Sequence, residues 1–163
     1  RDSPNPINVD WVKALGANPT PLPFPELYAA LEQGAVDGQE NPVATINSAK
    51  LYEVQKHMVL SNHQYNPQSV LMSKKFHDSL SAAEKKIVED AMVEASKFQR
   101  TQSRNLAGSI TENLRKNGMQ ITTLPASEMA ILRDKMKPVI AKHGTAIAAT
   151  VEELQAELAK LRK

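Results

Sequence analysis

Residues 18–42 read NPTPLPFPELYAALEQGAVDGQENP, a proline-punctuated helix followed by a polar knot. Pro25 presets φ near the helical value and lacks only an N–H that a first turn leaves unpaired. A helix over residues 25–33 therefore opens on proline and closes at Gly34. Leu27, Ala30 and Leu31 share one face of it, leaving Glu26, Glu32 and Gln33 towards water. Ala35 and Val36 then lead into Asp37, Gly38, Gln39, Glu40 and Asn41, almost without apolar content, and Pro42 ends the run. Two readings of that knot stand. In one, Asp37 and Gly38 turn the chain and Asn41 caps a helix whose first residue is Pro42. In the other, Gln39, Glu40 and Asn41 present amide and carboxylate groups to a ligand from the end of a short strand.

Upstream, Asn5 and Pro6 have the form of an N-cap and first helical residue. The helix they open runs to about Leu15, stops at Gly16, and buries Ile7, Trp11, Ala14 and Leu15. Residues 18–22, with Pro19 and Pro21 inside and Pro23 next, predict a short edge-like strand that pairs along part of its length. Downstream, the pattern predicts a helix over 42–53, a strand over 56–65 centred on Met58, Val59 and Leu60, and a strand over 70–73. Ser81 and Glu84 form a capping box. The helix it opens, over 82–117, carries Ile87, Ala91, Ala95, Phe98, Leu106, Ile110 and Leu114 at helical spacings and closes at Gly118. At 1.5 Å per residue it would run about 54 Å, more than the diameter of a ~100-residue domain, so it is expected to cross more than one domain. A strand over 121–124, a helix over 127–142 kinked or ended at Pro138, punctuation at His143 and Gly144, and a helix over 147–161 follow. The last helix aligns Val151, Leu154, Leu158 and Leu161.

Of the 163 residues, 41% are hydrophobic and 23% charged, which places the chain outside the disordered class. No apolar run approaches the ~20 residues that span a bilayer. Twenty basic and eighteen acidic residues are interspersed, giving +2 without the basic block that a nucleic-acid partner would require. The absence of cysteine rules out disulfides, thiolate nucleophiles and cysteine-ligated zinc. There is no GxSxG, no glycine-rich phosphate loop and no HExxH. The histidines at 57, 63, 77 and 143 have no metal-ligand spacing. Asp37 and Glu40, three apart on a strand, would face opposite sides and could not act together on one bond. No catalytic residue, cofactor or metal is read, and an enzyme is not expected.

The combination of GANPTP, PFPELYAALEQG and VDGQENP at these spacings, within residues 16–42, closely resembles the periplasmic solute-binding subunit of TRAP transporters, the DctP family. The resemblance covers nearly the whole chain and matches the C-terminal half of family members. It implies an α/β, periplasmic binding-protein-like two-lobe fold of which this chain carries the C-terminal part, with a long helix spanning the lobes. Residues 1–57 would belong to a ligand-binding lobe. Residues 58–163 would supply the interlobe strands, the spanning helix and the C-terminal helices. The implied function is non-catalytic capture of a small organic carboxylate for the membrane subunits, in the periplasm, after removal of a signal peptide. The alternative class is a helical interaction or scaffold module.

By resemblance, Arg1 falls on the family arginine that clamps the ligand carboxylate, a task suited to its planar fork. Asn41 matches the asparagine of the QENP run, which bonds the same carboxylate region. Phe24 matches a position packed on the ligand's carbon skeleton, with a plain core role as the alternative. His63 and Tyr65 fall in a stretch that lines the cleft. Pro4 and Asn5 stand at positions that can contribute polar contacts, and Pro4 offers none, which favours a plain mono- or dicarboxylate over a polyhydroxylated solute. Cut away from its other half, the chain is also expected to self-associate.

Overall fold

A computed structural model describes residues 1–161 of the chain. They form two compact units, residues 1–41 with 122–161, and Pro42–Ile121.

In the first unit Asn5 caps helix α1 (Pro6–Ala14), its side-chain oxygen accepting from the Ile7 N–H at 2.9 Å. Gly16, at φ +86°, stops the helix. The buried face differs from the expected one. Ile7 is 44% exposed, while Asn8 is buried and accepts from Trp11 Nε1 at 3.3 Å. A buried asparagine is tolerated here because its carbonyl is paired.

The edge-like strand at 18–22 shrinks to a single parallel bridge between Asp2 and Pro21, since the three prolines leave few N–H groups to pair. A 3₁₀ turn at Phe24–Glu26 leads into α2 (Leu27–Glu32), and Gly34 at φ +71° follows it. Leu27, Leu31 and Val36 are buried, each contributing roughly 1.5–3 kcal/mol of apolar burial. The DGQEN run does not become a strand. Among the described residues its main-chain tie is the bond from Arg1 to Gly38, too little to continue a ladder.

Helix α6 (Ala126–Gly144) packs on α1 and belongs to this unit, starting one residue before the expected Ser127. It continues through Pro138 and past His143, so the proline does not end it, because it removes one intrahelical bond without ending the turns around it. After a 3₁₀ turn at Thr145–Ile147, α7 (Ala148–Leu161) leaves Leu154 and Leu161 exposed.

In the second unit α3 (Val43–Ser48) has Pro42 rather than Asn41 at its N-cap position, with no side-chain cap bond. Lys50, left-handed at φ 54°, separates α3 from a 3₁₀ turn at Leu51–Glu53, dividing what the pattern predicted as one helix. Strand β1 (His57–Leu60) pairs with β2 (Gln120–Thr123), and Gln120 N–H donates to the Lys56 carbonyl at 2.8 Å. Met58 and Met119 are buried. The predicted extension of β1 to Tyr65 and the strand at 70–73 do not form. Val70 and Leu71 are 73% and 89% exposed, apolar and β-prone but without an edge to pair with.

Between them α4 (Lys74–Ser79), a helix the pattern did not predict, precedes α5 (Ala82–Lys116). The capping box of α5 is complete: Ser81 N–H donates to Glu84 Oε2 at 2.8 Å, and Glu84 N–H donates to Ser81 Oγ at 3.3 Å. All 35 residues of α5 lie within the second unit. Its C-terminal end packs on α3, where Leu114 is fully buried and Asn113 Nδ2 donates to Asn47 Oδ1 at 2.7 Å. Along the rest of its stripe Ile87, Phe98 and Leu106 are exposed.

Candidate functional site

Arg1 is held from two sides. Its main-chain nitrogen donates to the Gly38 carbonyl at 2.5 Å and its Nε donates to the Leu22 carbonyl at 2.8 Å. The chain start, the proline-rich segment before Phe24 and the polar run 37–41 thus converge on one residue, all within the first unit. The next residue extends the arrangement: Asp2 N–H donates to Thr20 O, and Leu22 N–H to Asp2 O, both at 3.4 Å. With Nε committed, the end-on pair of Nη groups has no hydrogen-bond partner among the described residues. That pair is the prong a guanidinium uses for two parallel bonds to a carboxylate.

Two amides follow the glycine that Arg1 bonds. Asn41 Nδ2 donates to Gln39 Oε1 at 2.6 Å, so Asn41 is oriented by Gln39 and not by a helix end. Its predicted capping role is therefore not made. Phe24, on the segment fixed through Leu22, is 44% exposed, an open aromatic face and not a core position. The first unit gathers Arg1, Phe24 and Asn41. His63 and Tyr65 lie in the second unit, after β1, where His63 Nδ1 is 2.7 Å from Ser61 Oγ and Tyr65 is 89% exposed.

Two features escaped the pattern. Asp2 is fully buried, and both its carboxylate oxygens lack hydrogen bonds; nothing in RDSP distinguishes a buried aspartate from an exposed one. Gln39 was one of four polar side chains in the knot, read with Glu40 and Asn41 as able to face a ligand, and its bond to Asn41 singles it out. Elsewhere in the first unit, a groove of about 410 Å³ between α6 and α7 is lined by Ile140, Ala141, Ala148 and Val151, with Lys137 and Glu152 among its polar residues. Among the described residues no group of three or more His, Cys, Asp or Glu side chains gathers as a metal site. No helix there is long and apolar enough to cross a membrane.

The family of bacterial extracellular solute-binding proteins, family 7 (DctP), matches residues 1–146. This chain belongs to the DctP family. A TRAP periplasmic solute-binding protein from Ochrobactrum anthropi, solved with its C-terminus bound in the ligand-binding pocket, is 52% identical. It aligns with 99% of this chain and 51% of its own, at a TM-score of 0.88. The sugar acid-binding protein DctPAm of Advenella mimigardefordensis, solved with galactonate, is 36% identical over 99% of this chain and 52% of its own, at a TM-score of 0.87. The sialic acid-binding periplasmic protein SiaP of Vibrio cholerae is 33% identical over 81% of this chain and 40% of its own. The chain spans about half the length of the curated relatives it matches. These DctP relatives are periplasmic solute-binding proteins of transporters, and their two-lobe fold is the one this chain shares in part.

Proposed function

We propose that the chain is the part of a TRAP-type solute-binding protein that anchors a small organic carboxylate, with Arg1 as the anchor. The observation that carries this is the double tether of Arg1, which fixes the guanidinium and leaves its Nη pair open. Pre-positioning lowers the ordering cost of binding. The relatives support the class of ligand: one holds galactonate, another D-erythronate, and a third has a C-terminus, a carboxylate-bearing chain end, bound in its ligand-binding pocket. Asn41 supplies an amide to the site and Phe24 an apolar wall, and His63 and Tyr65 are further candidate ligand contacts.

On this reading the protein does no chemistry. Two lobes, divided near residue 57, close on the anion, water leaves, and the ion pair strengthens in the lower dielectric. The closed form, in the periplasm, is read by the TRAP membrane subunits.

The test is Arg1→Lys in the complete gene product that carries this chain, measured by calorimetry against a panel of small carboxylates. Lysine keeps the charge but loses the planar fork. Losing one hydrogen bond to a charged group, worth roughly 1.5–3 kcal/mol, raises Kd about ten- to a hundredfold. Equal affinity in parent and variant would overturn the assignment.

A further inference from the structure

The segment that carries Arg1 and the one that takes its Nε are the two ends of α1. Upstream, Arg1 and Asp2 lead into the helix through Ser3, Pro4 and Asn5, where the Asn5 N–H donates to the Ser3 carbonyl at 2.7 Å and the Asn5 side chain caps the first turn. Downstream, the helix closes with the Ala17 N–H on the Val12 carbonyl at 3.2 Å, and residues 18–22 return to the chain start. There the Asp2 main chain pairs with Thr20 and Leu22, and Arg1 Nε donates to the Leu22 carbonyl at 2.8 Å. Pro4, Pro6, Pro19 and Pro21 fix φ along both links, so a shift of α1 passes to Arg1 and to the carbonyl that holds it, with little lost in slack.

What fixes α1 in turn is a charged clamp on α6, within the same unit. Asp10, in the middle of α1, accepts from Lys142 Nζ at 2.6 Å and lies 2.7 Å from His143 Nε2, both on the one oxygen Oδ2. The side chains of Asp10 and His143 are 23% and 21% exposed, so this is not a freely solvated surface pair of the kind that contributes little. Two groups from neighbouring residues of one helix, meeting on a single oxygen of the other, leave the pair little room to slide or turn.

We infer that Asp10, Lys142 and His143 are positioning residues for solute binding: their clamp holds α1 and, through both ends of that helix, the guanidinium of Arg1. This rests on the carboxylate reading above. A planar fork that makes two parallel bonds to a carboxylate tolerates small displacements poorly, so its affinity depends on how firmly its backbone is placed. Without the clamp α1 samples other placements on α6, and the apparent affinity falls with the fraction of molecules in which Arg1 still stands where the anion needs it.

The experiment uses the complete gene product that carries this chain, with circular dichroism to confirm the folded fraction and calorimetry against lactate, succinate and galactonate. Asp10→Ala is expected to raise Kd about three- to tenfold, as a competent fraction of roughly 0.1–0.3 would give. Lys142→Met should act in the same direction, and Lys142→Arg, which keeps a charged donor, should stay within about twofold of the parent. The deciding readout is a double-mutant cycle. In the Arg1→Lys background, Asp10→Ala and Lys142→Met should each change Kd by less than about twofold, because a flexible stem reaches the anion from either placement. The cycle with Lys142→Met decides the matter should Asp10→Ala not fold. Parent-like affinity in the clamp variants overturns the inference while leaving the carboxylate anchor standing. So does an equal loss with and without Arg1, which would mean that the clamp does not act through it. Equal losses in Lys142→Met and Lys142→Arg also overturn it. If the parent binds none of these acids, or Arg1→Lys binds as tightly as the parent, the anchor reading fails and this one with it.

Discussion

At Asp2 the chain buries a carboxylate completely, with neither oxygen hydrogen-bonded among the described residues, while its main chain is fully engaged with Thr20 and Leu22. An unsatisfied buried acceptor costs roughly 1–3 kcal/mol, and Val is near in volume and suited to extended backbone. Asp2→Val is therefore expected to raise stability by about 1–3 kcal/mol, read as a higher midpoint in urea; a lower midpoint would mean that the carboxylate has a stabilising partner. Asn41 makes the opposite kind of prediction. Because its amide bonds Gln39 and caps no helix, Asn41→Ala should weaken ligand binding with little change in Tm. A Tm drop of the size typical for a lost cap would contradict the geometry. The capping reading of Asn41 failed because an asparagine before Pro42 has the form of a cap whether or not its side chain turns to Gln39.

Helix ends followed local rules closely, and helix contacts did not. The α5 capping box is made as its residues dictate, and the Ser81 hydroxyl, with the Ser81 N–H, holds the Glu84 carboxyl below the usual range. Ser81→Ala should destabilise the unit by about 1 kcal/mol, measured by chemical denaturation. The tie between α1 and α6 is of another kind. Asp10 Oδ2 accepts from Lys142 Nζ at 2.6 Å and lies 2.7 Å from His143 Nε2, across more than 130 residues of chain. The hydrogen bond from Lys142, and after it that from His143, holds the Asp10 carboxyl below its usual value. A depressed folded pKa contributes stability that is fully present above the unfolded value, about 3.9, and is lost as pH falls through the folded one. Thermal melts of parent and Asp10→Asn should thus differ at pH 7 and converge as pH drops below about 4. A gap that does not shrink at all as pH falls below about 4 would show that the pair is not what joins these helices. No spacing rule links positions 10 and 142, which is why this contact could not be read from the sequence.

Among the described residues, apolar surface is conspicuous on α5, whose stripe the sequence had aligned on one face, and on the segment before it. Ile87, Phe98 and Leu106 on α5, and Val70, Leu71 and Phe76 before it, are each about half exposed or more. The 163 residues by themselves are expected to self-associate, with Phe98→Glu shifting light scattering towards monomer; a monodisperse monomer at high concentration would count against this. The sequence by itself determined most of the helices, though not α4 or the break at Lys50, through proline at first turns, glycine after last turns and the Ser81–Glu84 box. It also determined the family, through the spacing of three motifs. These are properties of residues close along the chain, where the physics is local. Tertiary structure decided the rest. It placed Asn8, not Ile7, inside, and it denied strands to 37–41 and 70–73. It turned Asn41 to Gln39, buried Asp2, and tethered Arg1 between Leu22 and Gly38. A strand needs a partner edge and a buried side chain needs a covering surface, and both come from segments distant in sequence, about which a local pattern carries no information.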